Sequence, residues 1–134
     1  MQIELVSPET IAYSGEADFV LARTRGGGDI AFQPGHVPFV GSLEICKVEI
    51  LTSDGGREVF AVHGGFLQVH DDKVTILSDV SEPQDAIDVP RAERARDRAQ
   101  EALNEDEADA EAAAALARSL TRLRTVGGDD IAPV

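Results

Sequence analysis

Six residues at one junction of this chain carry the side-chain types needed to hold an anion beside a purine: Glu82, Ile87, Asp88, Arg91, Ala92 and Arg98. Arg91 and Arg98 are seven apart, two helical turns, so they share a face wherever the segment is helical. Arg118 and Arg122, four apart, share another. If the two segments fold flat against each other, four guanidiniums converge. Arginine suits that task because its planar fork meets phosphate oxygens two at a time, while an acid beside a small side chain can receive a purine. The same arginines can equally pair along their own helices with Asp97, Glu101 and their neighbours, and spacing leaves both readings open.

Other chemistries find little support. His36, His63 and His70 have no second histidine or cysteine at metal-ligand spacing, so no metal site is expected. Gly26-Gly27-Gly28 lacks the lysine and helix of a phosphate-cradling loop, and no serine sits in a nucleophile elbow, so no catalytic constellation is expected. Cys46 stands alone between Ile45 and Lys47 and reads as a structural thiol. With 25 acidic against 12 basic residues and a net charge of -13, the surface repels nucleic acid and anionic lipid, and no nucleic acid partner is expected. No apolar run approaches the ~18 residues of a membrane span, and no signal peptide is evident. The expectation is a soluble protein of a reducing compartment that can still dock on a membrane complex.

The elements that must position the junction divide sharply around it. Up to about residue 80, short alternating runs broken by glycine, proline and aspartate predict strands at 2–6, 13–14, 17–24, 28–32, 37–40, 43–52, 57–62, 65–70 and 73–77. Ser53-Asp54-Gly55-Gly56 and Asp71-Asp72 read as hairpin turns. Strands this dense predict a β-sandwich. Asp88 then reads as a helix N-cap with Pro90 just inside it. A narrow stripe through Ala92, Ala95, Ala99, Ala102 and Leu103 predicts one helix, and Asn104 to Glu107 a turn. A stripe through Ala112, Leu116, Leu120 and Leu123 predicts a second, antiparallel helix. The tail from Val126 through Asp130 reads as aperiodic and disordered. Alanine stripes bury little area, so the helix hairpin is expected to be weakly held and able to move.

The order of these motifs resembles the epsilon-subunit family of rotary F-type ATP synthases over nearly the whole chain. Gly28 through Phe39, with its Pro34-Gly35-His36-Val37-Pro38 turn, is similar to a loop of that family; His63 through Val69 and Val74 through Asp79 are similar to its last strands. Ile87-Asp88-Val89-Pro90-Arg91-Ala92 resembles its Ile/Leu-Asp-X-X-Arg-Ala motif.

The resemblance implies a mostly β fold with α: a ten-stranded N-terminal β-sandwich over residues 1–84 and an antiparallel two-helix hairpin with a disordered tail over residues 85–134. It implies a non-catalytic central-stalk rotor subunit that couples proton-driven rotation of the membrane ring to ATP synthesis. The implied partners are the gamma subunit, the rotor c-ring and, transiently through the helices, the catalytic alpha and beta subunits. Membrane association is then only through the complex, on the cytoplasmic face of a bacterial inner membrane. Asp29, Gly35, His36 and Pro38 inherit the ring-docking role. No cofactor is required, but regulatory ATP is implied at Glu82, Ile87, Asp88, Arg91, Ala92 and Arg98, in a hairpin that regulates ATP hydrolysis. Arg118 and Arg122 match once the helix turn is taken as three residues shorter. The acid-rich start of the second helix departs from the positive charge on which inhibition in the family leans. A competing reading is a free nucleotide-binding regulatory module with an unrelated protein partner.

Overall fold

A computed structural model describes residues 1–127; the part of the tail beyond Gly127 lies outside them. Seven strands come first: β1 (Gln2–Ser7), β2 (Thr10–Thr24), β3 (Gly28–Phe32), β4 (Phe39–Thr52), β5 (Arg57–His70), β6 (Lys73–Ser78) and β7 (Ser81–Pro83). A single 3-10 turn, Gln84–Ala86, leads to α1 (Val89–Glu105) and α2 (Ala110–Gly127). The sheet runs β1-β6-β5-β4-β2-β3, β7 pairs with β5, and β1 also pairs with β2, which closes the sheet into a barrel-like sandwich.

The long strands β2, β4 and β5 each serve both layers. One layer is β3, the second half of β2, the second half of β4, the first half of β5, and β7. The other is the first half of β4, the second half of β5, then β6, β1 and the first half of β2. The described strands therefore number seven where ten were expected, and counting the three long ones once per layer recovers the ten. Glycines explain the difference. Gly15, Gly41 and Gly64 sit where the sequence suggested breaks, but they lie inside β2, β4 and β5 as continuous strands. Within β5 two successive glycines take positive φ, +87° at Gly64 and +130° at Gly65. A Cβ on Gly65 would stand 2.0 Å from the Leu77 carbonyl oxygen, so only glycine allows β6 to pair there.

Period-two alternation turns Ile3, Leu5, Val20, Phe32, Val48, Ile50, Val62, Leu67 and Ile76 into the space between the layers, all of them in one buried cluster. Cys46 joins that cluster, and burial pushes its thiol up to about 11. The Asp71-Asp72 turn takes positive φ at both residues, 52° and 59°, as a tight hairpin requires.

The helix hairpin is built by aspartates. Asp88 Oδ1 accepts from the Arg91 amide at 3.1 Å, Asp106 Oδ1 from that of Ala108 at 3.0 Å, and Asp109 Oδ1 from that of Ala112 at 3.0 Å. The predicted stripe on the second helix needs correction. Leu116, Leu120 and Leu123 are only half-buried, and the buried positions are Ala112, Ser119, Thr121 and Thr125. Small side chains let helix and sheet approach closely, and the hydroxyls satisfy themselves. Ser119 Oγ bonds the Ala115 and Leu116 carbonyls, each at 3.0 Å, and Thr125 Oγ1 donates to the Thr121 carbonyl at 2.7 Å. Val126 and Gly127, expected in the aperiodic tail, are the last residues of α2.

Candidate functional site

α2 packs on β4 and β5, over the outer face of the first layer. There Glu49, Val59, Ala61 and His63 are buried although they point away from the core. Two polar contacts tie the helix down. Glu82 Oε1 accepts from Arg122 Nε at 2.7 Å, and Gln84 Nε2 donates to the Thr125 carbonyl at 2.8 Å. The same Glu82 oxygen lies 2.6 Å from His63 Nε2, so one carboxylate joins strand, connector and helix. Burial works to raise the Glu82 carboxyl, but the hydrogen bonds from Arg122 and His63 outweigh it and hold the group below its ordinary 4.5. Burial lowers the His63 ring from its ordinary 6.5, with Glu82 opposing and the Arg122 and Arg118 charges assisting.

Beside this contact opens a cavity of about 350 Å³, lined by Glu82, Asp88, Arg91, Ala92, Arg98 and Arg122 among others. That volume suits a small-molecule site, typically ~300–1,000 Å³. The structure thus brings together six of the eight residues singled out at the junction. Ile87 is the first exception: it is half-buried in extended backbone and its neighbour Ala86 lines the cavity instead. Arg118 is the second. It lines an adjoining cavity of about 420 Å³ between the helices, which shares Ala95, Arg98 and Arg122 with the first. Glu111 reaches the Arg118 guanidinium at 3.1 Å, and Asp109 lines the same space.

The two cavities form one arginine-walled trough over an alanine floor. Among the described residues, no carboxylate lies within ion-pair distance of the Arg91 or Arg98 guanidinium. Two uncommitted guanidiniums, with two more held by exchangeable carboxylates, can receive a polyanion, while Asp88 and Ala92 offer an acceptor and a small surface to a base. Among the described residues, no group of three histidines, cysteines or carboxylates could hold a metal ion.

The four docking residues do not form one cluster. Asp29 pairs across the β2–β3 ladder with Arg23, Nε to Oδ1 at 2.6 Å, and that hydrogen bond keeps its carboxyl below its ordinary value of 3.8. Gly35, with φ of +84°, donates its amide to Asp72 Oδ1 at 3.0 Å. His36 Nδ1 sits 2.7 Å from the Val37 carbonyl, and its ring lies 4.9 Å from that of Phe32. Pro38 closes the exposed loop; Val37 within it and Val40 at the start of β4 are 69% and 73% exposed.

Sequence reasoning missed three things. Gln84 as a tie to α2 and His63 as the backing of Glu82 depend on contacts between distant segments that no local pattern announces. The third is an apolar row across the outer face of the second layer. The register aligns Phe66 with Leu77, Leu77 with Val6, and Val6 with Ile11, and Phe66, Leu77 and Ile11 are 58%, 53% and 60% exposed. Apolar residues at alternate strand positions outside the inward-facing set were the available signal.

The family model for the ATP synthase Delta/Epsilon chain beta-sandwich domain matches residues 1–84, and that for the long alpha-helix domain of the same chain matches residues 85–127. An ATP synthase epsilon chain from Streptomyces griseus is 46% identical over 126 residues, 94% of each chain. Those from Streptomyces coelicolor and Bacillus subtilis are 44% identical over 128 residues, 96% of each chain, and 41% identical over 109 residues, 81% of each. The fold is similar to a chain in the cryo-EM structure of Euglena gracilis mitochondrial ATP synthase, with TM-score 0.78 and 21% identity, covering 91% of this chain and 78% of that one.

Proposed function

We propose a mechanical, non-catalytic role on one premise: the chain belongs to the ATP synthase delta/epsilon family. It is a central-stalk subunit, part of the ATP synthase complex and peripheral to the membrane. Among the described residues, no helix is long and apolar enough to cross a membrane. In our reading it sits on the cytoplasmic face of a bacterial inner membrane and passes proton-driven rotation from the c-ring to the gamma subunit.

One observation carries this reading: the two outer faces of the sandwich differ. One face carries the exposed apolar row of Phe66, Leu77 and Ile11 with Val6 between them, while the opposite face is covered by α2 through polar contacts. An exposed apolar row on a sheet of fixed register suits a permanent partner. Gamma fills that place. The loop carrying Gly35, His36 and Pro38 meets the c-ring, with Asp29 bracing β3 beneath it through Arg23. The hairpin is the regulatory part. Folded down, it binds ATP in the arginine trough; lifted, its helices reach the catalytic alpha and beta subunits and restrain ATP hydrolysis. The carboxylates at Asp109 and Glu111 weaken that restraint by opposing the positive charge such contacts use.

The test is recovery of a tagged copy from gently solubilised source membranes. Gamma and the ring at fixed stoichiometry are the expected companions. Recovery of the chain alone would favour a free nucleotide-binding module.

A further inference from the structure

His63 stands behind the contact that docks α2, and its surroundings are one-sided. Its side chain is 4% exposed, Nε2 faces Glu82 Oε1, and Nδ1 is buried with no hydrogen-bond partner among the described residues. A neutral ring suits this pattern: Nε2–H donates to the carboxylate and Nδ1 keeps a bare lone pair. A proton added at Nδ1 meets no acceptor. The charge it brings faces Arg122 and Arg118 from α2. From β4 the cross-strand neighbour is uncharged Ile45, and Lys47, two residues on, is cationic and paired with Glu49. Beyond β6, the Asp79 carboxylate reaches Gly64, while from β7 Glu82 favours a charged ring but is shared with Arg122.

We infer that His63 is a proton-sensing positioning residue: neutral, it holds Glu82 against Arg122 and keeps the hairpin docked, and protonated, it lets the hairpin go. The docked state disfavours the proton, so its stabilisation is complete above the ring's ordinary 6.5 and is lost as pH falls below that value. The released-to-docked ratio then rises by at most about tenfold per pH unit for one proton. Glu82 also titrates, but with its carboxyl held below 4.5 its own release window lies lower. Acidification of the solvent bathing the subunit thereby becomes a signal to the hairpin, separate from any nucleotide.

The inference rests on the hairpin being movable, and the experiment separates the two. Spin labels on the full chain at Glu58→Cys and Arg124→Cys, both exposed positions, report the distance between sandwich and α2. Cys46 is buried and stays unlabelled. From about pH 8 to about pH 5.5 the long-distance population should grow in the parent chain and stay flat in His63→Gln, which keeps a donor towards Glu82 without titrating. Equal growth in both would overturn the assignment to His63. A flat parent alongside a lengthened Arg122→Ala would overturn proton sensing while sparing the movable hairpin. Should His63→Gln fail to fold by circular dichroism, the parent profile decides: a flat profile, or a midpoint above 6.5, overturns the inference.

Discussion

Replacing Phe66 with aspartate tests the gamma-docking face most directly. Phe66 is 58% exposed, and since an aromatic side chain buries ~150–250 Å² when covered, roughly 90–145 Å² of it awaits a partner. At about 25 cal/mol per Å², covering it contributes about 2–3.5 kcal/mol. An aspartate there loses that contribution and adds the cost of desolvating a carboxylate, so affinity for gamma should fall by at least ~30-fold. Folding should hardly change. Phe66 points outward, and its cross-strand contact with Leu77 is worth only about 0.2–1 kcal/mol. Titration of immobilised purified gamma with parent and Phe66→Asp chains measures the difference, with thermal unfolding as the control. Affinity within about threefold of the parent, in a variant that melts normally, would refute the assignment of this face.

Three further outcomes follow from particular contacts. Gly65→Ala should destabilise the sandwich by ~3 kcal/mol or more in urea unfolding, because the added Cβ meets the Leu77 carbonyl at 2.0 Å and the residue sits at φ +130°. Arg91→Ala should weaken ATP binding by about 1.5–3 kcal/mol in calorimetry, the worth of one charge-assisted contact, with the fold unchanged; unaltered affinity would leave Arg91 as a helix-start residue only. Asp29→Asn should cost at most about 1 kcal/mol at neutral pH, since the Arg23 partner is 51% exposed. Because the Asp29 carboxyl lies below its ordinary 3.8 in the fold, the Arg23 pair stabilises above that pH, and the difference between parent and variant should close as pH falls below it.

The fold was legible wherever one physical rule governed a segment. Alternation placed Ile3, Leu5, Val48, Ile50, Leu67 and Ile76 between the layers, and Asp88 with Pro90 marked where α1 begins. Glycine misled because it has two uses. At Gly55 and Gly26 it turns the chain, while at Gly15 and Gly41 it lies inside a continuing strand, and the residue type alone does not say which. The α2 stripe misled for a different reason. Hydrophobicity points to Leu116, Leu120 and Leu123, but close approach favours Ser119, Thr121 and Thr125, and the Ser119 and Thr125 hydroxyls bond back to the helix. The trough was readable from helical spacing, since Arg91, Arg98 and Arg122 needed only a hairpin to meet. His63 and Gln84 were not, because their partners lie 19 and 41 residues away.

The choice of side chains beneath α2 has a consequence for motion. Had Leu116, Leu120 and Leu123 been fully buried on docking, each would contribute ~1.5–3 kcal/mol, and three would fix the helix beyond what a ligand or a proton can shift. Instead the buried residues in this half of α2 are Ser119, Thr121 and Thr125, and the polar ties to the sandwich side are one bond from Gln84 and one carboxylate shared by His63 and Arg122. A charge-assisted bond of this kind contributes ~1.5–3 kcal/mol and a neutral one ~0.5–1.5 kcal/mol, comparable to the shift that gain or loss of a ligand supplies. Polar contacts also answer to charge. Phosphates entering the trough bridge Arg122 of α2 to Arg91 and Arg98 of α1 and favour the docked hairpin, whereas a proton on His63 weakens the carboxylate's hold on the same guanidinium. Both inputs act on the one residue that joins α2 to Glu82. Leu116, Leu120 and Leu123, left half-exposed in the docked state, remain free to pack elsewhere once that joint opens.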